Sequence, residues 1–211
     1  MNTETPLYSL HERIWHWLQA GVMILLILTG MAMHYPDRFG IFGSMAVAIR
    51  LHLWLAGALI ANAFLGAFYH LTAEKYHHFL PTMDDFTSAA VRQARYYLHG
   101  IFKGETHPLS DDPRRKLNAL QKITYLALLN VLLPYQIVTG ALLWGADRWP
   151  GVFQRAGGLW LLSPAHTLGS YLFLAFLIGH IYLATTGPTP GSLVRAITTG
   201  NHPAEASSDE R

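Results

Sequence analysis

The chain has 211 residues, of which 51% are hydrophobic and only 13% are charged, and its formal net charge is +2. Soluble domains carry about 25% charged residues, so this composition is unlike theirs. The chain contains no cysteine, which excludes disulfides, iron–sulfur clusters and thiolate zinc sites within it. So small a net charge does not favour nucleic-acid binding.

Four segments are long and apolar enough to cross a bilayer, which takes about 20 residues of helix. They cover residues 14–33, 51–71, 117–144 and 163–186. Backbone groups in lipid must be hydrogen-bonded within the segment, so these segments are predicted to be helices and not strands. We expect an all-α integral membrane protein, a four-transmembrane-helix bundle in which residues 1–211 form a single membrane domain.

Basic residues are unequally distributed between the predicted loops, and this orients the chain. Eleven of the fifteen Lys and Arg lie in the N-terminal segment, in or beside the loop 72–116, or in the tail 187–211. Because cytoplasmic loops carry the excess of positive charge, both termini and this loop are predicted to be cytoplasmic, in a multi-pass protein of the bacterial inner membrane.

Two shorter helices are predicted outside the spans. Residues from Asp84 onwards begin with acidic side chains and continue with mixed apolar and basic ones, which is typical of a short helix on the inner membrane face. A solvated basic linker is the alternative. Residues 43–50 are expected to form a short helix on the outer face, leading into the second span.

Four histidines lie inside the predicted spans: His16, His52, His166 and His180. Ionisable side chains in a membrane are costly and usually functional, although any one of them taken alone is read better as a structural histidine. His166 and His180 are fourteen residues apart, which in a helix is a rise of about 21 Å and a difference in direction of about 40°. They therefore face the same way, one near each membrane surface.

Depth gives each of these histidines a partner on another helix. In the predicted orientation His16 is level with His180 on the inner side, and His52 is level with His166 on the outer side. Two neutral imidazoles facing each other across a bundle are typical of a six-coordinate haem. Zinc is disfavoured because neither level offers an obvious third or fourth ligand. The sequence thus predicts a bundle holding two b-type haems through bis-histidine ligation.

Two glycines are spaced to agree with this arrangement. Gly30 lies fourteen residues after His16, and Gly66 lies fourteen residues after His52. Each is therefore expected on the ligand face, at the depth of the other histidine pair. A flat macrocycle needs room there, which glycine provides. The alternative is that small residues simply let membrane helices pack closely.

A rival arrangement pairs histidines along one helix. His16 and His34 are eighteen residues apart, as are His52 and His70, so each pair shares a face after five turns. The rise of about 27 Å spans nearly the whole hydrocarbon core, which would put His34 and His70 in the headgroup region. A membrane scaffold or metal transporter that uses its histidines for transient ligation is an alternative from another class of function.

Four stretches of the chain resemble one family of respiratory membrane proteins. They are "HERIWHWLQA" from His11, "IRLHLWLAG" from Ile49, "KLNALQKITY" from Lys116 and "AHTLGSYLFLAFLIGHIY" from Ala165. Together with the order of the histidines, they make about residues 8–190 similar to the dihaem cytochrome b membrane subunits of formate dehydrogenase, nickel–iron hydrogenase and thiosulfate reductase. The local fit is best to the thiosulfate-reductase-type branch.

The resemblance implies a role for each matching histidine. His16 and His180 would hold the inner haem, and His52 and His166 would hold the outer haem, as depth also suggests. Arg13 lies three residues before His16. This proximity makes it a candidate partner for a propionate of the inner haem.

The resemblance also implies a quinone site beside the inner haem. The formate dehydrogenase branch uses an asparagine in a Lys-x-Asn-x-Gly-Gln-Lys stretch to bind menaquinone. This chain keeps Asn118, Gln121 and Lys122 but has Leu120 in place of the glycine, which removes any backbone approach that needs glycine. An asparagine amide can donate to and accept from a quinone. The alternative for Asn118 is a helix N-cap.

An electron-transfer subunit is the function that the resemblance implies, with no further catalytic residue. Electrons would pass between the quinone pool, menaquinone or ubiquinone, and an extrinsic periplasmic partner that docks on the 34–50 and 146–163 loops. That partner is expected to be an iron–sulfur, molybdopterin, hydrogenase or multihaem cytochrome subunit, with membrane lipid around the helices. The alternative is a stand-alone dihaem b-type quinone reductase that uses a small diffusible electron donor. Purification with or without a partner subunit distinguishes the two.

Overall fold

A computed structural model of the chain describes residues 7–38, 40–72, 81–83, 85–105, 119–187 and 189–201. Over these residues the regular structure is entirely helical, and they include no strand. Four helices are long and apolar enough to cross a membrane, and they correspond to the four predicted spans: Leu10–His34, Met45–Tyr69, Ala119–Trp144 and Gly158–Ala184. The predicted all-α class with four spans is confirmed.

Packing divides the chain into two compact units, which we describe separately. The first unit comprises Met1–Ala67 and Ser170–Arg211, and the second comprises Phe68–Gly169. The first contains α1 (Leu10–His34), most of α2 (Met45–Thr72), the later part of α7 (Gly158–Ala184) and α8 (Ser192–Thr199). The second contains α3 (Ala90–Arg95), α4 (Ala119–Ala127), α5 (Leu133–Trp144), α6 (Pro150–Arg155) and the beginning of α7.

The first two spans begin earlier than predicted. The Ser9 hydroxyl accepts from the Glu12 N–H at 3.3 Å, and the Glu12 carboxylate accepts from the Ser9 N–H at 2.7 Å, so a capping box begins α1 at Leu10. Such a box satisfies two backbone donors that the first turn leaves unpaired. The second span runs without a break from Met45. Residues 43–50 were predicted as a short helix leading into the second span; residues 45–50 are helical and form the first turns of α2 itself.

The third span contains a wide turn just before its proline. A π-helical turn over Leu128–Leu132 joins α4 to α5, and Pro134 is the second residue of α5. Proline lacks an N–H, and its ring clashes with the carbonyl four residues earlier in a regular helix. A wide turn relieves that clash, and the Asn130 amide donates to the carbonyl of Leu126 at 3.0 Å.

A packed helical segment follows the second span in the predicted cytoplasmic loop. Residues 85–103 are helical, with α3 flanked by π-helical turns; Asp84 lies outside the described residues. Gln93 and Tyr97 are buried on this segment, so it is not the solvated linker considered from the sequence. Its position on the inner membrane face stays a prediction.

The start of this segment is tied to the third span through Asp85. The Asp85 carboxylate accepts from the Thr82 N–H at 2.8 Å, from the Thr82 hydroxyl at 3.0 Å and from Lys122 Nζ at 3.2 Å. Burial alone would raise the pKa of this carboxyl, but the Thr82 and Lys122 bonds outweigh burial and lower its pKa below that of a free aspartate. The loop helix is thereby fixed to the predicted quinone stretch of α4.

Within the first unit, α1 and α2 are joined by a polar contact at Asn62. The buried Asn62 amide donates to Gln19 Oε1 at 2.7 Å, and the Asn62 carbonyl accepts from Trp15 Nε1 at 3.0 Å. The Trp15 indole lies against Gly66, one turn further along α2, where a Cβ would collide with the ring. Hydrogen bonds and small residues of this kind join membrane helices at close range.

The Asp85 contact predicts a pH-dependent loss of stability. Asp85→Asn is expected to lower the free energy of unfolding by about 1 kcal/mol at pH 7, because a neutral amide replaces the carboxylate that bonds to Lys122 Nζ. The lowered pKa adds stability above the ordinary aspartate value of about 3.9, and this is lost as the pH falls through the folded-state pKa. Denaturation in detergent at pH 7 measures the loss of unfolding free energy, and the same experiment at pH 3 measures how much of that loss depends on the ionised carboxylate. Asp37→Asn, on an exposed turn, is the control, and an Asp85→Asn deficit as large at pH 3 as at pH 7 would contradict the assignment.

The Trp15 contact predicts opposite effects for two alanine substitutions on α2. Gly57→Ala, which enters open space, should be neutral or stabilising because alanine is favoured over glycine in helices by about 1 kcal/mol. Gly66→Ala should be destabilising because its methyl group displaces the Trp15 indole, and overpacking costs about 1–3 kcal/mol. Thermal unfolding of the two variants measures the difference. Equal stability would show that the Trp15 contact is not tight.

Candidate haem-binding sites

His16 on α1 and His180 on α7 face each other within the first unit. Their ring centres are 6.2 Å apart, and their planes are inclined at 48°. Trp17 meets the His16 ring edge-on at 5.2 Å, and Phe176, one turn before His180, stacks on the His180 ring at 5.6 Å. The structure thus brings together the two histidines that depth alone had paired on the inner side.

This separation fits two imidazoles that share one metal ion. A metal–imidazole bond is about 2.0–2.1 Å long and the nitrogen lies about 1.1 Å from the ring centre, so opposed rings on one iron have centres about 6.3 Å apart. His16 Nδ1 is buried and has no hydrogen-bond partner among the described residues. Buried ring nitrogens are normally satisfied, so a side chain of this kind fits a site that is completed by a bound group.

Arg13 is anchored to the end of α8. Its guanidinium donates to the carbonyl of Thr198, in the last turn of that helix, where a positive charge is favourable. Gly200 ends α8 in the left-handed conformation, with φ of 89°, and lies against the Arg13 side chain. The Arg13 Nε atom is buried and has no partner within the described ranges. The propionate contact predicted for Arg13 stays a prediction.

His52, also in the first unit, is held by a threonine of α1. Its Nδ1 atom lies 2.8 Å from the Thr29 hydroxyl, which itself lies 2.8 Å from the carbonyl of Leu25 and 3.1 Å from that of Leu26. Thr29 is fully buried. The His52 ring also lies against Gly30, where a Cβ would be 3.7 Å from Cε1. Gly30 therefore lies beside His52, as its spacing from His16 predicted.

His166, in the second unit, is held in the same way by a threonine of α5. Its Nδ1 atom lies 2.9 Å from the Thr139 hydroxyl, which donates to the carbonyls of Tyr135 and Gln136. The Gln136 amide nitrogen lies 3.2 Å from His166 Nε2 and 3.2 Å from the His166 carbonyl. A Cβ at Gly140 would be 3.0 Å from His166 Cε1. The ring is thus enclosed by one threonine, one glutamine and one glycine.

The remaining predicted site residues are less completely placed. Gly66 lies against the Trp15 indole, so the space that we expected for a macrocycle is filled by an aromatic side chain there. Gln121 is half-buried near the beginning of α4, whereas Asn118 lies outside the described residues. The quinone site and the haem-related role of Gly66 therefore stay predictions.

The rival pairing along single helices gains no support. His16 faces His180, whereas His34 ends α1 and meets the ring of Tyr35 edge-on at 4.6 Å. The His70 side chain is outside the described part of the chain. Over the described ranges there is no group of three or more His, Asp or Glu that could hold a metal ion, so the sites visible here offer two histidines each at most.

Sequence reasoning missed the residues that hold the histidine rings. Thr29 and Gly30 hold His52, and Thr139 and Gly140 hold His166. A signal was present, because a Thr-Gly pair recurs inside the first and third spans, in "ILTGMA" and "IVTGAL". Threonine is common in membrane helices, however, and only the contacts distinguish these two from the others.

Three named proteins are similar to this chain over most of its length. "Putative cytochrome YdhU" from Escherichia coli (strain K12) is 32% identical over 203 residues, which cover 93% of this chain and 74% of that protein. "Formate dehydrogenase, cytochrome b556 subunit" from Haemophilus influenzae is 25% identical over 175 residues, covering 82% and 67%. "Probable Ni/Fe-hydrogenase B-type cytochrome subunit" from Cupriavidus necator is 25% identical over 218 residues, covering 93% and 86%.

The family assignment follows from a match that takes in every described helix. The model of the family described as prokaryotic cytochrome b561 matches residues 7–200. With the named relatives, it confirms the resemblance to respiratory cytochrome b subunits that the histidine pattern indicated. This chain belongs to the prokaryotic cytochrome b561 family.

Proposed function

We propose that this chain is the membrane-anchoring subunit of a quinone-linked oxidoreductase, in which two b-type haems carry electrons across the bilayer. Membership of a cytochrome b family implies b-type haem. Two relatives are named as cytochrome subunits of formate dehydrogenase and Ni/Fe-hydrogenase, which supports a subunit that works with a partner redox enzyme. The four candidate membrane helices supply the path through the lipid.

The contact between His16 and His180 is the observation that carries this proposal. Two imidazoles from different helices, with ring centres 6.2 Å apart, match the ligand pair of one six-coordinate iron. A bound haem supplies a one-electron carrier at that point. The residues around it hold the two rings in place, with Trp17 edge-on to one and Phe176 stacked on the other.

We assign His52 and His166 to the second haem. Both were predicted as iron ligands from their depth, and each has Nδ1 bonded to a threonine hydroxyl. Histidines that bind metals almost always donate their other ring N–H to a fixed acceptor. His166 and His180 are both on α7, and their fourteen-residue spacing is a rise of about 21 Å along that helix.

We assign the quinone to the cytoplasmic end of the third span. Oxidation of a quinol releases two electrons and two protons, and reduction of a quinone takes up the same, so this site needs hydrogen-bonding groups and a proton route. Asn118 offers both a donor and an acceptor, and Gln121 lies one turn further on, half-buried in α4. A cytoplasmic position would let protons exchange with that compartment.

The partner is proposed to bind at the periplasmic side, on the loops over residues 34–50 and 146–163. This side follows from the distribution of Lys and Arg, which puts both termini in the cytoplasm. The chain has no cysteine, so iron–sulfur centres must belong to the partner, with molybdopterin, nickel–iron or multihaem centres as the further possibilities. Among the branches of the family, we propose the thiosulfate-reductase-type branch.

Single histidine substitutions test the haem assignment. His16→Ala or His180→Ala is expected to remove one haem and abolish quinone turnover, whereas His52→Ala or His166→Ala is expected to remove the other haem. Each variant should lose about half of the haem bound per chain, because one lost axial ligand abolishes a bis-histidine site. Reduced-minus-oxidised spectra and haem extraction on the purified protein measure this.

His34→Ala is the matched control for these variants. His34 is at the end of α1 and is a ligand only in the rival pairing, so its loss should leave both haems in place. Loss of the same haem by His52→Ala and His180→Ala would refute the pairing. Spectra without any b-type band in the wild-type protein, expressed with a haem supply, would refute the function itself.

Substitution at the proposed quinone site should separate quinone binding from haem binding. Asn118→Ala is expected to weaken binding of a quinone-analogue inhibitor about tenfold, the effect of losing a hydrogen bond worth about 1.4 kcal/mol, while both haem spectra stay unchanged. Asn130→Ala is the control, because that amide bonds to its own helix. Inhibitor titration of quinol oxidation measures the change. Equal inhibitor affinity in the two variants would remove Asn118 from the site.

A further inference from the structure

The helical segment over residues 85–103, which we call the loop helix, has one buried side and one exposed side. Gln93, Tyr97 and Gly100 are buried, and their spacings of four and three residues put them on one side of a helix. Within the second compact unit, α3 packs against α4. The buried side of the loop helix therefore lies against the beginning of the third span.

The loop helix is held at the level where the third span begins. The Asp85 carboxylate bonds to Lys122 Nζ at 3.2 Å, and Lys122 is the fourth residue of the span Ala119–Trp144. A charged side chain so close to the end of a membrane helix lies at the level of the lipid headgroups. The loop helix is thus placed at the boundary between lipid and water.

Large apolar side chains form one row on the exposed side. Val91, Leu98 and Phe102 are exposed to 65%, 68% and 77%. They lie seven and four residues apart, which puts them on one side of the helix, and none of them belongs to a candidate membrane span. Apolar side chains gathered on a surface indicate contact with a membrane or with another protein.

Basic side chains form a second row beside the apolar row. Arg92, Arg95 and Lys103 are exposed and lie three and eight residues apart, again on one side of the helix. Within the described ranges, none of the three takes part in an ion pair. Their charges are therefore available to an anion outside the chain.

The acidic side chains described in this segment lie elsewhere. Asp85 is buried and bonds to Lys122. The Glu105 N–H donates to the carbonyl of Gly100 at 3.0 Å, and the Glu105 carboxylate lies beside Gly100, which is buried. The described part of the exposed side therefore carries net positive charge.

We propose that the exposed side of the loop helix is a binding site for anionic phospholipid, with the apolar row among the upper acyl chains and the basic row on the phosphates of the headgroups. Helices that lie in a membrane interface combine these two features. Each Lys or Arg close to an anionic surface favours binding about fivefold. In the predicted orientation the site lies on the cytoplasmic leaflet, and it is independent of the haem and quinone assignments.

The position of the loop helix favours lipid over a partner protein as the occupant. At headgroup level the apolar row is already next to acyl chains, and the basic row is already next to phosphates. A partner protein would instead have to cover three exposed apolar side chains and also supply acidic groups to the basic row.

The test uses fluorescence quenching of the full-length protein in lipid nanodiscs. Because the chain has no cysteine, Leu98→Cys can be labelled at that one position with bimane. The nanodiscs are phosphatidylcholine with a small share of doxyl-labelled phosphatidylglycerol or doxyl-labelled phosphatidylcholine. At equal mole fraction, the anionic doxyl lipid is expected to quench at least about twofold more strongly, because the basic row concentrates it.

Substitutions in the basic row test its role in this preference. Arg92→Gln, Arg95→Gln and Lys103→Gln together should abolish the preference, whereas Arg92→Lys with Arg95→Lys, which keeps the charge, should retain it. The preference should also shrink as salt rises from about 0.1 M to about 1 M, because the screening length falls from about 10 Å to about 3 Å.

Phe64→Cys, labelled in the same way, is the matched control. Phe64 lies on α2 within the second span and is 70% exposed, and no Lys or Arg lies within seven residues of it in the sequence. Both doxyl lipids should quench this label equally, in the wild-type background and in the glutamine variant.

Three results would overturn the proposal. If both doxyl lipids quench the Leu98 label equally, the site does not select anionic lipid. If the preference survives in the glutamine variant, the basic row does not bind the headgroups. If neither lipid quenches the Leu98 label while both quench the Phe64 label, the exposed side faces water or a partner protein instead of lipid. None of these results changes the haem assignment, which the histidine variants test separately.

Discussion

An imidazole inside a membrane helix has two ring nitrogens and no water to satisfy them, and the functional part of this protein depends on that constraint. A polar atom left unpaired in an apolar environment costs several kcal/mol. His52 and His166 meet the constraint with a threonine hydroxyl at Nδ1. His16 has an unpartnered Nδ1 within the described ranges and faces His180 instead. His166 also has the Gln136 amide 3.2 Å from its Nε2.

Holding a ring in place requires the helices to approach closely, and small residues make that possible. Gly30 and Gly140 let imidazole rings lie against their backbones, and Gly66 accepts the Trp15 indole in the same manner. Trp15 is the residue before His16 on α1. Its indole is fixed by a hydrogen bond to the backbone carbonyl of Asn62 on α2. The helices that carry these histidines are thus held by side chains close to the histidines and not only by general apolar packing, which is weak between helices in lipid.

Much of this was accessible from the sequence alone. Apolar length and composition predicted four spans and the all-α class, and the depth of the histidines in the spans predicted that His16 faces His180. The ends of the spans were less accessible. The capping box at Ser9 begins α1 at Leu10, four residues before the predicted start. The second span begins at Met45, so the short helix predicted over residues 43–50 is part of α2. An apolar run does not show where a helix begins outside the lipid. The helix start is set there by capping hydrogen bonds such as those between Ser9 and Glu12.

The sequence by itself determined that the chain has four membrane spans and that histidines lie within three of them, since span length and helical period are properties of the chain alone. The tertiary structure decided what surrounds each ring. The recurring Thr-Gly pair does not show that Thr29 and Thr139 contact histidines, and nothing in the sequence assigns Gly66 to Trp15, because those contacts join positions far apart in the chain. They form only when two helices pack at one register, and that register decides which side chains contact each histidine ring.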